Sequence, residues 1–289
     1  LATQSPILVC PAMDGYMYKN PATQDNITLL ESRGITFAGP VTGHLASGMH
    51  GAGRMLEPIE IIGHIRTVLG GRGDLVGRKI VVTAGGTREP IDPVRFISNH
   101  SSGKMGYAVA EAARDRGSNT TLISAPTSLP DPTGVTMVRV GSATEMRDAV
   151  MRTYEDADVL VMAAAVADWQ PAFVAEKKLK KESTDTLSIN LIRTPDVITD
   201  VKADGLVKVG FAAESQDLEE NARAKIQPKG LHFIVANDIS ASDSGFASDN
   251  NQVVLIDREG QVERLELMSK YDVANHILDK ILSYLNNLV

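Results

Sequence analysis

The chain has 289 residues, of which 43 % are hydrophobic and 22 % charged, a composition that fits one large globular domain or two modest ones and excludes a disordered or fibrous chain. Its 29 basic and 36 acidic residues give a net charge of −7, so no global basic field exists for a nucleic-acid backbone and any polyanion must be held by a local cluster. The single cysteine, Cys10, excludes a disulfide framework and a cysteine-based zinc or iron–sulfur site, in keeping with a reducing cytosol.

In chain order, the first element expected is an apolar strand at Ile7 to Cys10, then a helix near Ala22 to Arg33, a strand at Thr36 to Gly39 and a helix from Pro58 to Leu69. Gly70-Gly-Arg-Gly73 is the best linker candidate and sets a boundary near residue 74. From Lys79 onward short β-rich runs alternate with helical patterns, the signature of a parallel α/β sheet. The expected strands are Lys79 to Thr83, Thr120 to Ser124, Met137 to Val140, Asp158 to Ala163, Ser188 to Ile192, Val207 to Ala212 and His232 to Ala236. Helices are expected at Gly103 to Arg116, Thr144 to Tyr154, Pro195 to Lys202 and Leu218 to Lys225. Strands apolar at every position suit a sheet covered on both faces. Gln252 to Asp257 and Val262 to Leu267 flank Arg258-Glu-Gly260, a hairpin turn. Ser269 and Asp272 form a capping box for a last helix that aligns Val273, Ile277, Leu278, Ile281, Leu282 and Leu285. The longest wholly apolar run, Val159 to Ala167, is far short of the roughly 20 residues of a membrane-spanning helix. The chain begins at Leu1, which points to truncation or processing.

Three stretches bear on chemistry. Thr83-Ala-Gly-Gly-Thr-Arg-Glu-Pro90 follows a strand but lacks the G-x-G-x-x-G spacing, and the next strand ends in Ser124-Ala-Pro126 where an acidic residue would hold a ribose, so a nicotinamide dinucleotide is disfavoured. Ser101-Ser-Gly-Lys-Met105 fails the Walker pattern at Ser98 and Met105, yet it precedes a helix whose free N–H groups attract an anion; a plain N-cap is the alternative. Ala163-Ala-Ala-Val-Ala-Asp-Trp169 allows a ligand close to the backbone at a strand's carboxyl end, where Asp168 could hold ribose hydroxyls. The lysines of Glu176-Lys-Lys-Leu-Lys-Lys181 are either a solvated face or a polyphosphate clamp, and Lys225 with Lys229, one helical turn apart, could add to the same field. The six histidines show no metal-ligand spacing, and no G-x-S-x-G elbow is present. No metal-ligand set is therefore expected.

The run from Thr83 through Arg88-Glu-Pro-Ile-Asp-Pro-Val-Arg-Phe-Ile-Ser-Asn-His-Ser-Ser-Gly-Lys-Met-Gly106 closely resembles the signature of the bacterial phosphopantothenate–cysteine ligases, the synthetase half of bifunctional coenzyme A biosynthesis proteins. Ala164-Ala-Val-Ala-Asp168, Lys178-Leu-Lys-Lys181, Gly210-Phe-Ala-Ala-Glu214 and Ala236-Asn-Asp238 extend the resemblance to the C-terminus. It implies an α/β, Rossmann-like fold, a mostly parallel sheet flanked by helices with a smaller N-terminal α/β segment, divided as 1–74 and 75–289. It also implies activation of 4′-phosphopantothenate by CTP with Mg²⁺, then amide formation with cysteine, in a cytoplasmic homodimer or larger homo-oligomer without nucleic-acid or membrane partners. Asn99 would act on the acyl-cytidylate and Lys178 on the nucleotide phosphates. The CTP site would comprise Gly85, Gly86, Ser102, Ala165, Asp168, Lys178, Thr194, Pro195, Asp196, Val197, Phe211, Lys225 and Lys229, with Thr194 in place of the family's asparagine.

The N-terminal segment resembles something else. Pro11-Ala-Met-Asp-Gly-Tyr-Met-Tyr18, Pro21-Ala-Thr-Gln-Asp-Asn26 and Gly51-Ala-Gly-Arg-Met55 are similar to the second half of the flavin-dependent phosphopantothenoylcysteine decarboxylases, which would use FMN if a complementary N-terminal part were present. Asp14 stands where that family has a substrate asparagine, Ser47 where it has a proton-donor cysteine, and Arg54 lies in the third motif. A serine hydroxyl is a poor replacement for a thiol as proton donor. The alternatives to a ligase are a flavoprotein-like subunit whose decarboxylase activity is lost or needs a missing half, acting as an assembly platform, and a nicotinamide-dependent reductase.

Overall fold

The computed structural model describes residues 3–180, 186–214, 218–238 and 248–287, with Ala213, Glu214 and Asp238 by backbone only. Lys181 of the lysine-rich motif lies outside the described residues. The chain divides into two compact units, residues 1–76 with 114–117, and residues 77–113 with 118–289.

The larger unit is an eight-stranded sheet. Its strands are β1 (Lys79–Ala84), β2 (Asn119–Ser124), β3 (Thr136–Arg139), β4 (Val159–Met162), β5 (Val207–Glu214), β6 (Phe233–Asp238), β7 (Val253–Asp257) and β8 (Val262–Arg264). They lie in the order β3-β2-β1-β4-β5-β6-β7-β8, the first six parallel and the last two antiparallel. The helices are α1 (Lys104–Asp115), α2 (Ala143–Thr153), α3 (Val197–Asp200), α4 (Leu218–Ile226) and α5 (Lys270–Asn287). This is the doubly wound, Rossmann-like architecture expected from the alternating pattern. The apolar runs explain it: Ile80, Val82, Val159, Leu160 and Val161 are fully buried, as strands covered on both faces must be.

The strand order reverses between β1 and β4, both of which lead out of the sheet at their carboxyl ends. In open α/β sheets such a reversal opens a crevice because the two connections leave to opposite sides. Close packing below it depends on Gly106 in α1. A Cβ there would lie 2.6 Å from Ala84 Cβ and 2.7 Å from Thr83 O. Gly106→Ala is expected to cost about 2–3 kcal/mol and lower the melting midpoint by roughly 5–10 °C. An unchanged midpoint in a thermal melt would show that the helix moves away from the strand freely.

Several elements differ from the sequence expectation. Ser188 to Ile192 is not a sheet strand: Leu191–Arg193 pairs antiparallel with Trp169–Pro171 in a separate ribbon. Its apolar residues Leu191 and Ile192 are 40 % and 49 % exposed, so they do not enter the core. The helix expected at Pro195 to Lys202 shrinks to the single turn of α3. The Ser269–Asp272 cap forms through side chains: Asp272 N donates to Ser269 Oγ at 3.1 Å, and that hydroxyl donates to Asp272 Oδ2 at 2.6 Å. Behind it Val273, Ile277, Leu278, Ile281 and Leu285 of α5 are buried, with Leu282 half-buried.

The smaller unit contains the helices Gly15–Lys19, Pro21–Ser32 and Pro58–Gly70, the parallel pair Leu8–Val9 and Thr36–Phe37, and a hairpin of Val41–His44 with His50–Arg54. That hairpin carries four glycines and few β-formers, which hid it from pattern reading. Among the described residues, no helix of either unit is long and apolar enough to cross a membrane.

Candidate functional site

The loops leaving β1 and β4 meet at the strand reversal. Gly86 and Ala165 form a parallel bridge, with Ala165 N donating to Gly85 O at 2.8 Å and Thr87 N to Ala165 O at 3.3 Å. Gly85 takes φ +81°, and a Cβ on it would lie 2.9 Å from Ala125 O, so the tight exit from β1 requires glycine. Two buried threonines hold the other side: Thr83 Oγ1 accepts from Ala164 N at 3.1 Å, and Thr87 Oγ1 accepts from Ala167 N at 2.9 Å. The Ala163–Asp168 run is therefore a backbone surface, half-buried at Ala163 to Val166 and ending in the exposed Asp168.

After Thr87 the chain forms a hairpin of Arg88–Pro90 with Phe96–Ser98 and delivers Asn99 to that surface. The Asn99 amide nitrogen donates to Ala165 O at 3.1 Å and to Val166 O at 3.4 Å. Next follow Ser101, Ser102 and Gly103, whose φ of +79° turns the chain into α1. Gly103 N donates to Ser101 Oγ and Lys104 N to Ser102 Oγ, each at 3.4 Å. Both readings of this turn, cap and anion cradle, remain compatible with long bonds of this kind. The end of β2 carries no carboxylate. Ser124 is buried against Tyr107 with Oγ and Oη 3.1 Å apart, and Arg139 donates to the same Oη at 3.1 Å.

The ribbon of Trp169–Pro171 with Leu191–Arg193 continues from Asp168, whose carbonyl accepts from Thr194 N at 3.0 Å. The Thr194 hydroxyl donates to Ala167 O, so the threonine that replaces the family's asparagine keeps the turn closed. Pro195 is half-buried; Asp196 caps α3, accepting from Thr199 N at 3.4 Å, and Val197 is buried in the core beneath it. Lys229 Nζ lies 2.9 Å from Asp196 Oδ2. Burial works to raise the Asp196 carboxyl pKa, but the Lys229 ammonium outweighs it and holds the group below its ordinary value. Lys229 lies beyond the end of α4 and continues its turn by donating its N–H to Lys225 O at 3.3 Å. Phe211 is half-buried on β5. Lys177, Lys178 and Lys180 are exposed.

The fold thus brings Gly85, Gly86, Asn99, Ala165, Asp168 and Thr194 into one hydrogen-bonded group, and pairs Asp196 with Lys229. Sequence reading missed Thr83 and Thr87, and also Asp92 and Arg95, which both bond the peptide of Leu179 beside Lys178. The only local signal was at Asp92, where Asp-Pro marks a turn.

In the smaller unit, Asp14 caps the Gly15–Lys19 helix through Tyr16 N at 2.9 Å and accepts from Ser47 Oγ at 2.7 Å. The Ser47 hydroxyl and that backbone donor keep the Asp14 carboxyl below its ordinary pKa. Arg54 is engaged by Glu57. Among the described residues no group of three or more His, Cys, Asp or Glu could hold a metal ion.

Residues 75–285 match the family described as "DNA/pantothenate metabolism flavoprotein C-terminal domain", and residues 1–70 match the family described as "Flavoprotein". The coenzyme A biosynthesis bifunctional protein CoaBC of Vibrio vulnificus is 45 % identical over 285 residues, covering 97 % of this chain and 71 % of that protein. The CoaBC of Escherichia coli K12 is 44 % identical over 292 residues, covering 98 % of this chain and 71 % of that protein. The crystal structure of the C-terminal domain of a CoaBC superposes with a TM-score of 0.63 at 40 % identity, covering 74 % of this chain and 98 % of that one. By these matches the chain belongs to the CoaBC family of bifunctional coenzyme A biosynthesis proteins, and residues 75–285 are its ligase part.

Proposed function

We propose that the larger unit joins 4′-phosphopantothenate to cysteine at the expense of CTP, at the crevice between β1 and β4. The ligase activity is that of the family; the nucleotide and the residue roles are our reading. The substrate carboxylate attacks the α-phosphorus of CTP, pyrophosphate leaves, and an acyl-cytidylate forms. The cysteine amine then attacks the acyl carbon, CMP leaves and the amine loses a proton. The first step presses an anion against a polyanion, so catalysis rests on orientation and on cations held in place. Lys178 takes the phosphates. Asp168, Thr194 to Val197 and Phe211 form the nucleoside side, with Gly85, Gly86, Ala165 and Ser102 offering a close backbone approach. Lys225 and Lys229 add positive charge, with Asp196 as the resting partner of Lys229. Mg²⁺ bound to the triphosphate would offset part of its charge.

The observation that carries this reading is the joining of the Gly85–Thr87 and Ala163–Asp168 backbones at the topological switch point, with the Asn99 amide laid across them. The decisive assay is pyrophosphate release by the full chain. It should require CTP, phosphopantothenate and Mg²⁺ together, and release without phosphopantothenate, or with ATP replacing CTP at equal rate, would contradict the proposal.

The reading includes a cytoplasmic homodimer or larger homo-oligomer. Val94, Phe96, Trp169, Phe173 and Ile192, on or next to the hairpin and the ribbon, are all at least 47 % exposed, apolar surface of the kind that a second copy covers. The smaller unit supports a second activity poorly. Its family match implies FMN for the decarboxylase part. The residues present do not fit that chemistry: Arg54 is spent on Glu57, and Ser47 donates to Asp14, an anionic pair where a thiol and an amide would be needed. No decarboxylation step is assigned to it.

A further inference from the structure

Asp92 sits in the turn between Arg88–Pro90 and Phe96–Ser98 and is 3 % exposed. Its Oδ1 accepts from Val94 N at 2.8 Å and Arg95 N at 2.9 Å, which is all that the turn itself requires. Its Oδ2 does something different. It accepts from Arg95 Nε at 3.0 Å, from Arg95 Nη2, and from Leu179 N at 3.0 Å, across 87 positions of sequence. Arg95 Nη2 also donates to Leu179 O at 2.8 Å. The N–H and the C=O of Leu179 are therefore both gripped by one ion pair. Four residues earlier, Ala175 N donates to Ile91 O at 3.0 Å, so the segment runs along the turn at a second point.

Leu179 is half-buried, and Lys178 and Lys180 on either side of it are exposed. A buried carboxylate is costly unless its lone pairs are satisfied, and here Val94 N, Arg95 N, the Arg95 guanidinium and Leu179 N satisfy them. The Arg95 guanidinium holds the Asp92 carboxyl far below the usual range against the opposing effect of burial, so the grip persists at any working pH.

We propose that Asp92 is a positioning residue for the activation step, fixing the Leu179 peptide so that Lys178 and Lys180 are presented to the polyphosphate in a preset arrangement. This rests on the reading of Lys178 given above. Without the grip, the lysine segment would have to be ordered when nucleotide binds, at a cost in backbone entropy for each residue fixed.

Asp92→Asn keeps the size and the turn bonds but removes the charge that holds Arg95. It is expected to lower kcat for CTP-dependent pyrophosphate release about tenfold and to speed trypsin cleavage after Lys178 and Lys180 in the ligand-free chain by a similar factor. In a Lys178→Gln/Lys180→Gln background it should cost nothing further, because the groups it positions are gone. An equal loss in both backgrounds would mark Asp92 as a purely structural residue. An unchanged rate with unchanged trypsin cleavage would overturn the proposal outright. If Lys178→Gln alone leaves pyrophosphate release intact, the reading of Lys178 fails, and the trypsin rate by itself decides whether the grip exists. Should Asp92→Asn not fold, Asp92→Glu retains the charge but moves the acceptor by one methylene, and the same readouts apply.

Discussion

Lys178→Gln is expected to slow pyrophosphate release by about 10²–10³-fold, the loss typical when one preorganised group facing developing charge is removed. The substitution keeps a polar side chain of similar reach on an exposed position, so folding should be unaffected. What disappears is the ammonium. In a chain of net charge −7, bringing a carboxylate onto a triphosphate without that ammonium leaves the repulsion less compensated. The expected pattern is a fall in kcat for the first step, with the second step normal when acyl-cytidylate is supplied. Rapid-quench measurement of pyrophosphate separates the two. A wild-type burst would remove Lys178 from the phosphate site.

Asn99→Asp should act on the other half of the reaction. In the ligand-free chain both donors of the amide are committed, to Ala165 O at 3.1 Å and Val166 O at 3.4 Å. The nitrogen must face that way, because two carbonyls can only accept. Donation to an acyl oxygen requires release of the longer bond, and the carbonyl of Val166 then turns to solvent or substrate. Aspartate has no donor and sets a carboxylate against two carbonyl dipoles. We expect pyrophosphate to be released once per site while amide product falls by about 10²–10³-fold, so that acyl-cytidylate accumulates and can be trapped. Equal loss of both products would show that Asn99 serves only to hold the two loops together. Because the residue is exposed, the melting midpoint should fall by no more than a few degrees.

The parts of the site that the sequence disclosed are those in which a local requirement leaves a local trace. Gly85 is needed for a positive φ against Ala125 O, the small residues Ala163 to Ala165 for close backbone approach, and the lysines for charge. Asp168 was reached from its place past a strand's carboxyl end, whereas Asn99 and Thr194 were reached through resemblance to a family signature and not through any pattern of their own. Asp92 and Arg95 stood inside that signature yet carried no legible role, because their partner is a backbone peptide 87 positions from Asp92. The buried Thr83 and Thr87 escaped for the same reason: each hydroxyl serves a peptide N–H about 80 positions away, at Ala164 and Ala167.

The order of burial along each segment was set by the sequence alone. Runs such as Ile80-Val-Val82 and Val159–Met162 have no polar face, so they had to be strands covered on both sides, and the spacing of Val273, Ile277 and Ile281 made the final helix one-sided. Which strands became neighbours was decided only in three dimensions. Leu191 and Ile192 are as apolar as many core residues, yet they left the sheet for a ribbon with Trp169–Pro171, and β1 came to lie beside β4 with the reversal that opens the crevice. Periodicity reports how a segment meets its surroundings, whereas strand pairing and the grip on Leu179 depend on contacts between distant segments that compete with one another, and that competition is resolved by the packing of the whole unit.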